Sequence, residues 1–161
     1  MVKKISVLFL AVSLVFTLFA CEKEEKIFGH AELRIGLRED FEKFAAESFD
    51  AAYTNGSAIV GIYRVSFDAG IDVGIPDFLT PEQFARLYMQ SSEREAEIKL
   101  YGFTPYYEYT ELQGGVKNSY LASFYRSRFA YFAVIFACPE SAYEENLPVF
   151  LSYTESVIFV Y

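Results

Sequence analysis

The chain is poor in the residues on which most catalytic and metal sites depend. Its 161 residues include no tryptophan, one histidine and two cysteines. One histidine excludes histidine-rich metal sites and disfavours a histidine-based triad, and two cysteines exclude a disulfide-rich scaffold. Basic residues number 14 against 22 acidic residues, which gives a net charge of −8. Because nucleic-acid binding depends largely on cations that neutralise phosphates, this balance argues against a nucleic-acid partner.

Catalytic motifs are also missing. The sequence contains no phosphate-binding P-loop, no G-x-S-x-G elbow, no H-E-x-x-H and no C-x-x-C. Three aspartates, Asp68, Asp72 and Asp77, lie in a glycine-containing stretch, but their spacing does not match an EF-hand loop. We therefore predict no metal, no cofactor and no catalytic residues. A hydrolase that uses carboxylates, such as Glu93 and Glu97 on one helix face, is the alternative.

The N-terminal segment has the pattern of a secretory leader. Lys3 and Lys4 precede an apolar run from Ile5 to Ala20, which is short for a membrane-spanning helix. The run leads into Leu18-Phe19-Ala20-Cys21, which resembles the lipobox of bacterial lipoproteins, although Phe19 stands where a small residue is usual. This resemblance implies cleavage before Cys21 and acylation of its side chain and its new amine.

The lipobox implies a domain organisation and a location. Residues 1–20 would be a signal peptide, residues 21–30 a lipidated cysteine with a polar tether, and residues 31–161 a single domain. Acylated Cys21 would hold the protein in the lipid of a cell membrane or outer membrane, facing the periplasm or the cell exterior. The partners would be membrane lipid and an unknown envelope protein. An uncleaved membrane anchor and simple secretion are the alternatives.

The rest of the chain alternates between strand and turn patterns. Residues 33–37 alternate in polarity as a half-buried strand does, whereas residues 40–46 are ambiguous between helix and loop. Asn55-Gly56 predicts a hairpin between strands at about 48–54 and 57–67. Residues 68–78 are predicted to be a loop. Three further strands form an antiparallel meander, at about 105–113, 118–126 and 129–138.

Two helices are predicted. Thr80 is a cap, Pro81 suits the first turn, Gln83 completes a capping box, and Leu79 and Phe84 form a hydrophobic staple. This helix is expected to run to about Glu95. The second is expected from about Leu147, because Pro148 suits a first turn better than a helix interior.

The order of elements (β, ββ, α, βββ, α) predicts an α+β fold, an antiparallel sheet of about six strands flanked by helices. Over about residues 31–160 the sequence resembles the PsbP-like group. Three stretches carry this resemblance: Phe132-Ala133-Val134-Ile135-Phe136-Ala137-Cys138-Pro139, Thr80-Pro81-Glu82-Gln83-Phe84 and the stretch after Tyr143. The resemblance implies an α/β/α sandwich. PsbP-like proteins share association with larger complexes, which implies a non-enzymatic binding or assembly module. Cys138 is expected to be a small buried residue.

Tyr106, Tyr107 and Tyr109 are the candidate partner-binding residues. Side chains alternate along a strand, so Tyr107 and Tyr109 share one face and Tyr106 points to the other. An antiparallel sheet can leave one face open to solvent, and tyrosine suits that boundary. Cross-strand packing beneath a helix is the alternative interpretation. A carrier with an apolar cavity between sheet and helix is the third candidate function.

Overall fold

Ten strands and three α-helices follow one another along residues 24–161, the part of the chain that a computed structural model describes. The strands are β1 (Glu25–His30), β2 (Leu33–Arg38), β3 (Glu42–Phe44), β4 (Ala51–Thr54), β5 (Ile59–Ser66), β6 (Lys99–Tyr101), β7 (Thr104–Gln113), β8 (Val116–Arg126), β9 (Ala130–Pro139) and β10 (Ile158–Phe159). The helices are α1 (Phe67–Asp72), α2 (Pro81–Ser91) and α3 (Tyr143–Glu155). The predicted signal peptide and Cys21 lie outside the described residues.

The strands form two antiparallel sheets. The larger sheet has seven strands in the order β3-β4-β5-β9-β8-β7-β6, and the smaller has three in the order β1-β2-β10. The predicted meander is the β7-β8-β9 part of the larger sheet. The prediction of an α+β fold with an antiparallel sheet flanked by helices is therefore confirmed.

The larger sheet is covered on both faces. One face packs against α3 and the smaller sheet, through buried residues such as Val60, Phe136 and Phe150. The other face packs against α2, where Phe84 contacts Phe124 and Tyr131. These are the three layers of the expected sandwich, with the smaller sheet as an addition to the α3 layer. No helix among residues 24–161 is long and apolar enough to cross a membrane.

The predicted hairpin is present at Asn55. Its side-chain oxygen accepts hydrogen bonds from the backbone N–H groups of Ser57 and Ala58, at 3.1 and 2.9 Å. Gly56 has a φ of +84°, which glycine adopts without the steric cost that a side chain would add. The turn joins β4 to β5, with Thr54 opposite Ile59.

Helix α2 begins as predicted and ends earlier. The Thr80 hydroxyl accepts a bond from the Gln83 N–H at 3.2 Å, and the Gln83 side chain accepts one from the Thr80 N–H at 2.8 Å. The helix ends at Ser91, and Glu93 has a positive φ of 53°. Glu93 and Glu97 therefore lie beyond the helix, and the expectation that they share a helix face is wrong.

The predicted tether is shorter than residues 21–30, because residues 25–30 form β1. All six residues pair with β2. The Phe28 ring also lies 5.0 Å from the ring of Tyr53, whose hydroxyl donates to the Gly29 carbonyl at 2.7 Å. Since Glu25 and Lys26 are exposed, the strand is held by pairing with β2 and by these contacts rather than by an alternating apolar pattern.

Helix α3 begins at Tyr143, four residues before the predicted start, and includes Pro148. Pro148 is the sixth helical residue, so its missing N–H removes one intrahelical bond. Tyr143 and Phe150 are buried on the inner side of the helix. The predicted loop 68–78 likewise contains most of α1, which the Ser66 hydroxyl caps through the Ala69 N–H at 3.3 Å.

Candidate functional site

Helix α2 covers only part of its face of the larger sheet. Beyond the end of the helix the sheet is open, and a groove of about 470 Å³ lies there. Small-molecule sites in proteins commonly measure about 300–1,000 Å³. We call this feature the sheet groove. Its aromatic side consists of three tyrosines and an ion pair: Tyr88, Tyr109, Tyr120, Arg94 and Glu111. Its apolar side and floor consist of Phe49, Ile59, Ile135 and Ala137, and its polar rim consists of Ser48, Thr54, Ser57, Gln113 and Asn118.

The aromatic side is a three-layer stack. Tyr109 of β7 and Tyr120 of β8 are direct cross-strand partners. Their ring centroids lie 4.7 Å apart with an angle of 4° between the planes, and the Arg94 guanidinium lies 4.1 Å from the centre of the Tyr109 ring. The separation of the rings matches the spacing of neighbouring strands, about 4.7–4.9 Å, so the sheet itself sets the stack.

Arg94 is held in the stack by Glu111. The Arg94 Nε and Nη2 atoms donate to one carboxylate oxygen of Glu111 at 2.9 and 2.5 Å. Burial disfavours the charged guanidinium, but the Glu111 bond and the nearby Tyr109 outweigh burial and raise the pKa of Arg94. The Arg94 guanidinium therefore keeps its charge and forms an ion pair with the Glu111 carboxylate.

The tyrosine hydroxyls of the groove stay protonated at neutral pH. Burial raises the pKa of Tyr88 to about 12, and it also raises the pKa values of Tyr109 and Tyr120. A protonated phenol can donate a hydrogen bond but is a poor general base or nucleophile. These residues therefore suit binding better than proton transfer.

Two small residues, Gly61 and Ala137, determine the shape of the apolar side of the groove. A Cβ atom on Gly61 would lie 2.5 Å from the Phe49 ring, so the absence of a side chain lets Phe49 lie against the sheet. Ala137 is half-buried, whereas the other residues of β9 up to Cys138 are buried. The exposed Ile59 is its cross-strand neighbour on β5. The part of the floor that solvent reaches is therefore formed by Ala137 and Ile59, beside Tyr120, which is 9% exposed.

The rim offers hydrogen-bonding groups. The Thr54 hydroxyl is used within the β4–β5 turn, where it donates to the Ala58 carbonyl at 2.9 Å. The side chains of Gln113 and Asn118 make no hydrogen bond to any other residue among 24–161. Each presents a neutral amide at the end of the groove nearest the β7–β8 turn.

The three tyrosines proposed from the sequence do not form one open surface. Tyr107 has 0% exposure and stacks on Phe124 beneath α2, so it is a core residue. Tyr109 is half-buried within the wall of the groove, and Tyr106 is half-buried on the opposite face. Partner binding by Tyr106 or Tyr109 stays a prediction. Sequence reasoning missed Arg94 and Ala137, which only the pairing of distant segments brings to this place.

A second concave region lies on the α3 side, with a volume of about 370 Å³. It is lined by three carboxylates, of Glu108, Glu140 and Glu144. Glu108 forms an ion pair with Lys99 at 2.8 Å and accepts a bond from the Tyr143 hydroxyl at 2.9 Å, and Glu140 pairs with Lys117. Two of the three carboxylates are therefore already engaged with lysines. Cys138, which is 3% exposed, is buried as expected.

Comparison with known proteins identifies the fold. No family model matches the chain, and no curated protein matches it. Among solved structures, the solution structure of the cyanobacterial PsbP protein CyanoP from Synechocystis sp. PCC 6803 is similar, with a TM-score of 0.54 and 10% identity over 88% of this chain and 96% of that one. The protein therefore has a PsbP-like fold.

A crystal structure from Bacteroides thetaiotaomicron VPI-5482 is similar to the same degree. Its TM-score is 0.53, with 12% identity over 87% of this chain. The chain spans about half of the length of that protein, 49%. At these identities the likeness concerns the fold alone.

Proposed function

We propose that the protein is a non-enzymatic binding module of the bacterial cell envelope, anchored in a membrane through acylated Cys21, and that it binds through the sheet groove. The observation that carries this proposal is the open groove beside the Arg94–Tyr109–Tyr120 stack, where a rigid aromatic side meets free amides on the rim. Pre-ordered aromatic side chains contribute binding surface at a low cost in conformational entropy.

Charge favours binding over catalysis at this site. The charged side chains that line the groove are Arg94 and Glu111, and they form an ion pair with each other. General acid–base catalysis needs a group that can exchange a proton near the working pH. The raised pKa of the groove tyrosines keeps their protons in place. The groove thus has surface and hydrogen-bonding groups to offer, without an available acid–base pair.

A carboxylate hydrolase is the second candidate, because Glu108, Glu140 and Glu144 line one concave region. Its requirement is a pair of carboxyl groups free to act as acid and base or nucleophile. The ion pairs of Glu108 with Lys99 and of Glu140 with Lys117 work against that role. We therefore favour the binding module.

The experiment for the binding role is affinity capture from detergent-solubilised envelope, read by quantitative mass spectrometry. The variant is the double substitution Gln113→Ala and Asn118→Ala, which removes both free amides from the rim and leaves the stack intact. Gln90→Ala, an exposed glutamine on α2 outside the groove, is the control. Partners should be recovered with the control and lost with the double variant. Equal recovery would exclude the groove as the binding site.

The experiment for the anchor is metabolic labelling with a fatty acid. Cys21→Ala should abolish incorporation of the label, because acylation needs the cysteine thiol. Cys138→Ala is the matched control, since it removes the only other cysteine and should leave the label in place. Labelling of the Cys21→Ala variant would contradict the lipoprotein assignment.

A further inference from the structure

We infer that the outer edge of β7, at Thr110 and Leu112, binds an extended peptide that carries a lysine or arginine side chain. The peptide adds a strand to the larger sheet. In this mode of recognition, main-chain hydrogen bonds supply affinity and alternate side chains supply specificity. The edge is a different surface from the sheet groove, so the inference goes beyond the proposed function and does not depend on it.

Strand β6 covers only the first part of β7. Its three residues pair with residues 104–106, whereas β7 continues to Gln113. The chain between α2 and β6 does not replace the missing part of β6. Ala96 and Ile98 pack on the α2 side of the sheet, and no backbone hydrogen bond in the described part of the chain joins residues 95–98 to β7. Beyond residue 106 the outer edge of β7 therefore lacks a partner strand among residues 24–161.

The turn after β7 shows which backbone groups point toward this edge. Gly114-Gly115 has φ values of 57° and 83°, so it is a two-residue hairpin turn that closes on the hydrogen-bonded pair of Gln113 and Val116. Pairs with and without mutual hydrogen bonds alternate along an antiparallel ladder. Thr110 and Leu112 therefore direct their N–H and C=O groups away from β8, toward the outer edge.

The outer edge is open to a further strand. Edge strands commonly resist such addition through charged side chains, proline or a bulge. Strand β3, at the opposite edge of the same sheet, carries Glu42 and Lys43. Thr110 and Leu112 are uncharged and exposed, and β7 pairs with β8 without a bulge at these residues. Their outward backbone groups form no hydrogen bond to another residue among 24–161. Together they offer two donors and two acceptors.

Charge on the α3 side of the edge favours a basic side chain. Thr110 lines the concave region on that side together with Glu108, Glu140 and Glu144. Lysines pair with the first two carboxylates, whereas Glu144 is exposed and forms no ion pair with any residue among 24–161. Residues directly opposite each other in an antiparallel pair point their side chains to the same face. A lysine or arginine opposite Thr110 therefore enters this concave region.

The same charge disfavours a second copy of this chain as the occupant. Antiparallel pairing of two β7 edges extends one sheet across both copies and places their α3 sides on the same face. The two Glu144 carboxylates would then share that face without a counter-ion, and each chain has a net charge of −8. Because like charges across neighbouring strands destabilise pairing, a basic segment of another protein suits the edge better.

Hydrogen exchange tests both the open edge and the added strand. The probe is the peptide acetyl-Thr-Val-Lys-Val-Thr-amide, added to the full chain in phosphatidylcholine nanodiscs, and exchange is followed by NMR. In the free protein the amides of Thr110 and Leu112 should exchange faster than those of Tyr109 and Glu111, which bond to β8. Saturating peptide should slow exchange at Thr110 and Leu112 at least about tenfold, because their N–H groups become hydrogen-bonded.

Thr110→Pro and Thr110→Val separate the backbone from the side chain. Both variants lose the hydroxyl, which lies 3.2 Å from the Ser119 hydroxyl, but only proline loses the outward N–H. Proline is tolerated on an edge strand where its nitrogen faces away from the ladder. Peptide binding should weaken at least about fivefold in Thr110→Pro and stay within about twofold in Thr110→Val. If Thr110→Pro proves unfolded in a thermal melt, Leu112→Pro and Leu112→Val provide the same comparison.

A second peptide tests the charge. Replacing its lysine with glutamate should weaken binding about 2- to 10-fold, the range expected when an exposed attraction becomes a repulsion. Glu144→Gln should remove most of this difference. Glu145→Gln is the control, because Glu145 is exposed on the same helix but does not line the concave region, and it should preserve the difference.

Several results would overturn the inference. These are slow exchange at Thr110 and Leu112 in the free protein, no binding of the lysine peptide, or equal binding by folded Thr110→Pro and Thr110→Val. Equal affinity for the two peptides would also overturn it. A dimer in sedimentation that Thr110→Pro dissociates would assign the edge to a second copy and exclude the peptide as its natural occupant. Slowed exchange at both residues, with weaker binding by Thr110→Pro alone, supports strand addition.

Discussion

At the scale of single residues, Phe84 holds α2 to the sheet. It is 1% exposed, stacks on Tyr131 at 4.7 Å and meets the edge of Phe124 at 5.9 Å. Phe84→Ala removes these contacts and leaves a cavity, so we expect it to lower the free energy of unfolding by about 3–5 kcal/mol. Chemical denaturation, followed by circular dichroism, measures this loss.

Leu87 provides the control for Phe84. It lies three residues after Phe84 on the same helix, yet it is 36% exposed, whereas Ala85 is buried. Leu87→Ala should therefore cost about 1 kcal/mol or less. Similar losses from both variants would mean that α2 packs with a different face against the sheet.

Only part of the sheet groove could be predicted from the sequence. Strand alternation correctly places Tyr107 and Tyr109 on one face, but it does not reveal that α2 covers Tyr107 and stops short of Tyr109. Arg94 contacts Tyr109 and Glu111, which lie 15 and 17 positions further along the chain. No local period connects these positions, because their proximity depends on where α2 ends and on the register of the sheet.

At the scale of elements, the start of α2 depends on the Thr80 cap. The Thr80 hydroxyl accepts from the Gln83 N–H at 3.2 Å. Thr80→Ala leaves that N–H without its partner and should lower the free energy of unfolding by about 0.5–2 kcal/mol. Thr80→Ser keeps the hydroxyl and should stay close to the wild type. Thermal melts compare the three proteins, and equal losses for alanine and serine would argue against a role for the cap.

Elements were predictable where local chemistry determines them. The capping box of α2 and the Asn55-Gly56 turn each depend on residues within four positions, and both are present. The start of α3 is different, because burial of Tyr143 extends the helix past the local preference of Pro148. Strand β1 also depends on contacts outside its own segment. It pairs with β2 and packs Phe28 on the Tyr53 ring, although its own sequence predicted a polar tether.

At the scale of the whole molecule, the fold class follows from the order of its elements. Strands β7, β8 and β9 have ten or eleven residues each, which is long enough for their residue pattern to predict a strand. Strands β3 and β6 have three residues and β10 has two, which is too few for a period to emerge. The smaller sheet was missed because β10 is this short and because β1 has no alternating apolar pattern, although the resemblance to the PsbP-like group indicated the correct fold.

The tyrosine content of the molecule makes its stability sensitive to alkaline pH. Burial raises the pKa of seven tyrosines, which lie on both faces of the larger sheet: Tyr88, Tyr107, Tyr109, Tyr120, Tyr125, Tyr143 and Tyr153. A raised pKa means that the folded state holds the phenol proton more tightly than the unfolded state does. Stability from this source is complete below the unfolded pKa and is lost as the pH rises through the folded pKa.

Tyr88 defines the range of pH over which this loss can be measured. Its pKa rises from the ordinary value of 10.0 to about 12, so the free energy of unfolding should start to fall near pH 10 and continue to fall toward pH 12. Urea denaturation at fixed pH values from 8 to about 12 measures this dependence, with the slope set by proton linkage. Tyr88→Phe removes the titrating group but keeps the ring that packs on Phe124 at 5.5 Å, so the fall should become shallower while stability near pH 8 changes little. An identical pH dependence in the variant would show that Tyr88 ionises without cost in the folded protein, and that its hydroxyl reaches solvent through the sheet groove.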